Sequence, residues 1–196
     1  MKFRLDLLDK AKKTPTGAIK YDIDRMKAVI ELAASKAGWG TKKDVSQGFA
    51  VYFSHRSYVA QVAEVKMING RPVLQKIHAA ADCGIVVNTL GAMQQVRGGV
   101  VDGIGHAFFG NLTFKDGATE QKNFNAYRLI RMKEVPEVDV HFVNNGIEPT
   151  GLGEPALPPT GGAVANAIFK ATGKRLYNQP FVKQEEMKGV NHGDRM

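Results

Sequence analysis

One glutamate is a candidate for acid–base chemistry because of the residues on either side of it. Glu154 lies in the segment Gly151-Leu-Gly-Glu-Pro, where glycines permit tight backbone paths that bring amide groups close to a bound molecule. The proline that follows favours an extended backbone at Glu154. A carboxylate held on such a loop could act as a general base. The alternative is a solvent-facing glutamate in an ordinary turn, and the shape of the motif leaves both open.

Other residue types that could do chemistry give weaker signals. The segment Gly103-Ile-Gly105 resembles a dinucleotide fingerprint, but it lacks the third glycine and the preceding parallel strand. Cys83 is interpreted as a small buried apolar residue, and Gln95 either hydrogen bonds a ligand or faces water. The histidines show no ligand spacing, so no zinc site is predicted. They are His55, His78, His106, His141 and His192.

The elements that must position these residues begin with a helix. Apolar residues recur at spacings of three and four from Ile23 to Ala37, which predicts a helix over this range. Asp22 can cap its start and Gly38 can end it. The first 21 residues are lysine-rich and contain a turn-like segment at 14–17, and no element is predicted there.

Strand patterns follow this helix. Residues 49–54 and 58–68 are rich in β-branched and aromatic residues, and Asn69-Gly70 is a strong hairpin signal that leads into a return strand over 72–81. A further strand is predicted over 138–143 by alternation, and a short one over 112–114. These pairings predict an α+β fold with a mostly antiparallel or mixed sheet and packed helices.

Two helices and one loop complete the predicted organisation. A helix from about Ala92 to Phe108 contains four glycines, which indicate close approach of another backbone or of a ligand. Residues 124–132 are ambiguous. Residues 144–162 are predicted to form a loop from their glycine and proline content, followed by a last helix over Ala163–Thr172. The chain is predicted to be a single domain, 1–196, in which residues 182–196 form a loose polar tail.

Composition excludes several classes of protein. With 43% hydrophobic residues the chain can bury a core, which excludes a wholly disordered protein. No apolar run approaches a membrane span, and charges interrupt the place where a signal peptide would need an apolar run. A single cysteine permits no internal disulfide. We therefore expect the chain itself to be cytoplasmic, in a reducing compartment, while the compartment of any assembly that contains it stays open.

The net charge of +8 raises the question of a nucleic-acid partner. The excess lies at the two ends, because residues 1–50 carry a net charge of +5, residues 51–169 are neutral and residues 170–196 carry +3. No segment interleaves basic and aromatic residues as a phosphate-tracking groove would. Nucleic-acid binding is therefore not expected.

Several motifs, taken in order, resemble those of the molybdenum hydroxylase family. They are Gly38-Trp39-Gly40, Val62-Ala63-Glu64-Val65, Asp82-Cys83-Gly84-x-x-Val87-Asn88, Gln95-x-x-Gly98-Gly99, Asn123-Phe124-x-x-Tyr127-Arg128-x-x-Arg131-Met132, Gly151-x-Gly153-Glu154-Pro155 and the segment from Ala165 to Arg175. The likeness covers nearly the whole chain apart from its polar tail. It is strongest to the C-terminal part of the molybdopterin-binding large subunit of isoquinoline 1-oxidoreductase-like enzymes.

This resemblance implies an oxidoreductase that hydroxylates an aldehyde or an N-heterocycle with oxygen from water. Its cofactor would be molybdopterin, as the cytosine dinucleotide, whose dithiolene binds molybdenum, so no protein ligand to that metal is expected. Glu154 matches the family's catalytic base, and electrons would leave through iron–sulfur clusters on a partner subunit. Contacts to the cofactor are implied for Asn88, Gln95, Thr150, Gly151 and Gly153.

The chain departs from the family in length, because the family's large subunit continues well before the point where this sequence begins. The resemblance therefore implies a partner chain that carries the N-terminal half of the molybdenum subunit, and we expect the isolated chain to be inactive. A second interpretation is a non-catalytic α+β scaffold, or a truncated remnant, that binds a partner chain.

Overall fold

The computed structural model describes residues 1–17 and 21–183, which fold around a mixed sheet with helices on both faces. The helices are α1 (Lys2–Lys13), α2 (Ile23–Ala37), α3 (Thr89–Phe108) and α4 (Pro158–Thr172). The strands are β1 (Ser46–Ser54), β2 (Ser57–Ile68), β3 (Arg71–Asp82), β4 (Phe114–Lys115), β5 (Ala118–Thr119) and β6 (Glu137–Phe142). Short 3-10 turns cover Met132–Glu134 and Phe181–Lys183.

The main sheet has the strand order β1-β2-β3-β6. The β1/β2 and β2/β3 pairs are antiparallel, whereas β3 and β6 are parallel. A parallel pair needs a long crossover, and α3 lies within that connection. The small strands β4 and β5 form a separate hairpin. The mixed sheet with packed helices confirms the predicted α+β class.

Each face of the sheet carries its own apolar core. Helices α3 and α4 pack on one face, with Val100 and Ile168 among the fully buried side chains there. Helix α2 packs on the other face through Val29, Ile30 and Ala33. The strand β2 lies between the two layers and is buried continuously from residue 57 to residue 65. Its apolar run therefore reflects burial on both faces.

The predicted caps of α2 and the predicted turn of the first hairpin are confirmed. The Asp22 carboxylate accepts hydrogen bonds from the N–H groups of Asp24 and Arg25, and Gly38 ends the helix in the left-handed region at φ 59°. Asn69 and Gly70 both have positive φ and join β2 to β3. These features depend on neighbours in sequence, which is why the sequence pattern predicts them.

The predicted start of the last helix at Ala163 is wrong, because α4 begins five residues earlier, at Pro158. Two prolines occupy its first turn, where the missing N–H groups would have had no intrahelical acceptor. Gly161 and Gly162 lie inside the helix. The glycine and proline content of this segment favours a loop, which is why the prediction places the helix start too late. The second predicted helix likewise begins early, at Thr89 and not at Ala92.

The lysine-rich N-terminal segment is also helical, although no element was predicted there. Leu8 of α1 is buried against α2, and ion pairs join Lys27 to Asp9 and Lys12 to Asp24. The short strand predicted over 112–114 lies slightly later, at Phe114–Lys115. Of the predicted polar tail, residues 182 and 183 belong to a 3-10 turn, and the rest lies outside the described residues. No helix in the described ranges is long and apolar enough to cross a bilayer.

Candidate active site

A buried carboxylate joins the segment after β3 to the loop after β6. The Asp82 side chain is fully buried and accepts hydrogen bonds from the Arg25 guanidinium (Nη2 to Oδ1, 2.7 Å), the Gly84 N–H (3.1 Å) and Asn145 Nδ2 (2.7 Å). Burial alone would raise the pKa of Asp82, but these donors outweigh it and hold the pKa below its ordinary value. Asp82 therefore serves as a charged anchor for both segments.

The same segment fixes the path of the loop that leads to Glu154. Gly84 has a φ of 72°, and a Cβ there would lie 2.3 Å from the carbonyl oxygen of Glu148. The Thr150 N–H donates to the Cys83 carbonyl at 2.9 Å. The Cys83 side chain is buried, as predicted, and burial raises the pKa of its thiol. Residues 145–150 are thus held along residues 82–85.

Beyond this point the loop is clamped onto α3. The Gln95 amide Nε2 donates to the Gly153 carbonyl at 2.8 Å. A Cβ at Gly103 would lie 2.7 Å from the Leu157 carbonyl oxygen and 2.7 Å from Thr160 Cβ, and a Cβ at Gly99 would lie 3.0 Å from Ala156 Cβ. These distances confirm the close backbone approach predicted from the glycines of this helix.

A buried polar network holds the far end of the loop. The Gln61 Nε2 donates to the Ala156 carbonyl at 2.6 Å, and the Thr160 hydroxyl donates to Gln61 Oε1 at 2.9 Å. Gln61 and Thr160 are both fully buried. Because each unmade hydrogen bond would be costly in the core, this network fixes residues 156–160 against β2.

Glu154 lies at an open cavity of about 400 Å³ between the loop and α3. The carboxylate is exposed, and the cavity is lined by Gln95, Gly98, Gly99, Asp102, Gly153, Glu154, Leu157 and Pro158. Asp102 was not singled out from the sequence. It lies seven residues after Gln95 and four after Gly98, on the same helix face, so helical spacing could have found it.

The cavity has the properties of a cofactor cradle. A Cβ at Gly98 or Gly153 would meet no atom within 4 Å, so both positions open into the cavity. The N–H group of Gly153, which lines the cavity, donates to no acceptor in the described part of the chain. Backbone donors and glycines beside a concave surface fit a polar cofactor that approaches the backbone closely, as molybdopterin would.

The other residues implied to contact a cofactor are engaged within the chain. Asn88 is the N-cap of α3, and its side chain accepts from the Gly91 N–H at 2.9 Å. The Thr150 hydroxyl hydrogen bonds the Ser57 hydroxyl at 2.6 Å, and the Gly151 N–H donates to the His55 carbonyl at 3.2 Å. The structure therefore brings Gln95, Gly153 and Glu154 together at the cavity. Cofactor contacts by Asn88, Gln95, Thr150, Gly151 and Gly153 stay predictions, and so does the catalytic role of Glu154.

Comparison with known proteins identifies the family. Residues 11–136 match the model of the molybdopterin cofactor-binding domain. The chain is 32% identical over 179 residues to a membrane-bound aldehyde dehydrogenase [pyrroloquinoline-quinone] of Gluconacetobacter polyoxogenes, covering 86% of this chain. It is 28% identical over 161 residues to isoquinoline 1-oxidoreductase subunit beta of Brevundimonas diminuta, covering 79% of this chain. The alignments span only 23% and 21% of these relatives.

A solved structure supports the same assignment. The aldehyde oxidoreductase from Desulfovibrio gigas superposes with a TM-score of 0.54 at 29% sequence identity, covering 63% of this chain and 14% of that chain. The family model, the relatives and this fold agree with the motifs that run through the sequence. The chain belongs to the molybdenum hydroxylase family and matches part of the family's molybdopterin-binding subunit.

Proposed function

We propose that the chain forms the glutamate-bearing part of a molybdenum-dependent oxidoreductase, and that Glu154 is its general base. The substrate would be an aldehyde or an N-heterocycle, oxidised with oxygen from water. The observation that carries this proposal is the position of Glu154 on the wall of a glycine-lined cavity, beside the Gly153 N–H, which has no acceptor among the described residues.

The residues of this chain would bind, orient and move a proton. When bound, molybdopterin supplies the molybdenum centre that takes two electrons from the substrate. Gln95 and the N–H group of Gly153 would hold polar groups of the cofactor. The Glu154 carboxylate would accept a proton from the water-derived nucleophile. A positioned base of this kind contributes a factor of about 10²–10⁴ to the rate. The cytosine dinucleotide form of the cofactor and an iron–sulfur partner subunit belong to the same proposal.

A partner chain would complete the site. The alignments cover about a fifth of the relatives' length, so most of the cofactor cleft would come from residues outside this chain. Several large apolar side chains are exposed on the described surface, among them Val87 (86%), Phe124 (73%) and Met132 (93%). Apolar side chains of this size would leave water if another polypeptide covered them, which is consistent with the proposed partner. We therefore expect the isolated chain to be inactive.

The alternative is a scaffold that binds the same partner without contributing to catalysis, and the exposed apolar side chains fit it equally well. An experiment on the assembled complex distinguishes the catalytic role from the scaffold role. The complex is purified by an affinity tag on this chain, and its molybdenum content is measured per copy of the chain. Glu154→Gln should lower turnover at least about a hundredfold while leaving assembly and molybdenum content unchanged. Glu148→Gln is the matched control, because Glu148 is an exposed carboxylate on the same loop outside the cavity.

Three results would contradict the proposal. Unchanged turnover in Glu154→Gln would favour the scaffold. An equal loss in Glu148→Gln would show that the loop, and not the base, was perturbed. Stoichiometric molybdenum with aldehyde oxidation by the purified chain alone would overturn the expected need for a partner.

A further inference from the structure

Three potential metal ligands meet on the face of the sheet covered by α2. His78 lies on β3, and Asp139 and His141 lie two residues apart on β6. The parallel register pairs His78 with Asp139, so strand alternation directs all three side chains to one face. One ligand atom from each lies within 4.8 Å of the others. The cavity beside Glu154 is lined by α3, which packs on the opposite face.

The buried ring nitrogens of His78 are not satisfied by hydrogen bonds within the described residues. Its side chain is only 4% exposed, and neither ring nitrogen has a hydrogen-bond partner within the described part of the chain. Its Nδ1 lies 3.8 Å from Asp139 Oδ2, and its Nε2 lies 3.3 Å from Glu64 Oε1. Buried polar groups are nearly always satisfied, so an imidazole in this position needs a further partner.

The donor set matches a divalent transition metal. Two imidazoles and one carboxylate are the ligands of three-residue zinc sites, which leave one position for water. Glu64 lies behind His78, as the carboxylate does in a carboxylate–histidine–metal arrangement. Glu64 is itself held by Lys42 Nζ at 2.6 Å and by Gln47 Nε2 at 3.1 Å. We propose that His78, Asp139 and His141 form a site for a divalent transition-metal ion of the zinc type, separate from the molybdopterin cavity.

A neighbouring cation, the Lys76 ammonium, competes for this site. The Lys76 ammonium lies 2.6 Å from Asp139 Oδ2 and 2.8 Å from Glu137 Oε1. A metal ion would displace Lys76 from Asp139, and Lys76 would keep its pair with Glu137. The Asp139 carboxylate is 37% exposed and His141 is half-buried on the edge strand, so an ion can reach them from solvent.

The test is a titration of the full chain, freed of metal by a chelator, with Zn²⁺ and with Co²⁺ as a spectroscopic probe. We expect one ion per chain and visible absorption from Co²⁺ in a site of low coordination number. His141→Ala and Asp139→Asn should each weaken binding more than a hundredfold. Glu64→Gln should weaken it about 10–100-fold, as expected for a residue that supports a ligand. Lys76→Gln should tighten binding, which a merely structural cluster would not show.

His106→Ala is the matched control. His106 is exposed and lies 3.6 Å from the Asp102 carboxylate, and this pair belongs to no group of three potential ligands within residues 1–17 and 21–183, so its loss should leave binding unchanged. Circular dichroism would check that each variant is folded, and Asp139→Asn preserves side-chain size at an edge position. Absence of stoichiometric binding by the unmodified chain would overturn the proposal. So would equal binding by the folded Asp139→Asn and His141→Ala variants.

Discussion

Two glycines of α3 offer a test of how the Glu154 loop is held. Gly98 and Gly103 lie five residues apart in one helix, but their surroundings differ. A Cβ at Gly98 would meet nothing within 4 Å, whereas one at Gly103 would lie 2.7 Å from the Leu157 carbonyl oxygen and 2.8 Å from Thr160 Oγ1. The changes Gly98→Ala and Gly103→Ala therefore add the same methyl group to an open and to a filled position.

The expected magnitudes follow from two terms. Alanine is more favourable than glycine inside a helix by about 1 kcal/mol, and this gain applies to both variants. At Gly103 the methyl group also forces apart a packed backbone and a buried hydroxyl, and overpacking of this kind costs about 1–3 kcal/mol. Gly98→Ala should therefore raise the free energy of unfolding, and Gly103→Ala should be less stable than Gly98→Ala by about 1–3 kcal/mol.

Urea unfolding of the isolated chain, followed by circular dichroism, measures this difference directly. Because the helix-propensity gain is common to both variants, it cancels in the comparison, provided both transitions are two-state. A second measurement applies to the proposed complex with the partner chain. Gly98 lines the cavity, so Gly98→Ala should lower molybdenum content although it stabilises the chain. Equal stability of the two variants would refute the close contact between α3 and the loop.

Three further predictions concern the anchor beneath the loop. Asp82→Asn should lower the free energy of unfolding by about 3–5 kcal/mol, because it leaves the Arg25 guanidinium without its charged partner and the Arg25 side chain is only 11% exposed. Asp6→Asn removes one charge of an exposed ion pair and should change the free energy of unfolding little. The folded-state pKa of Asp82 lies below its ordinary value of 3.8, so its stabilisation is complete above that value and is lost as the pH falls through the lowered pKa. Urea unfolding between about pH 6 and pH 3 should therefore show a flatter acid dependence for Asp82→Asn, and an unchanged slope would contradict this assignment. Cys83 is 5% exposed and burial raises the pKa of its thiol, so a thiol reagent should react slowly until urea unfolds the chain, and rapid reaction of the folded chain would contradict its burial.

What could be predicted from the sequence was set by residues close together along the chain. Helix α2 follows from its apolar period and from Asp22 and Gly38, and the first hairpin follows from Asn69-Gly70. The Glu154 loop was found by its glycine and proline pattern, and the family by motifs in order. Such signals are local because caps and tight turns depend on the backbone conformation of a few consecutive residues.

Only the tertiary structure decided which of these residues meet. The Gly151 amide is occupied by the His55 carbonyl, a pairing across the fold that no spacing indicates. Helix α4 extends back to Pro158, since packing supports a turn whose composition suggests a loop. His78 and Asp139 are 61 positions apart in sequence and become neighbours through the parallel pairing of β3 with β6. Long-range contacts are selected by burial of both sheet faces at once, which depends on the whole chain and not on any one segment.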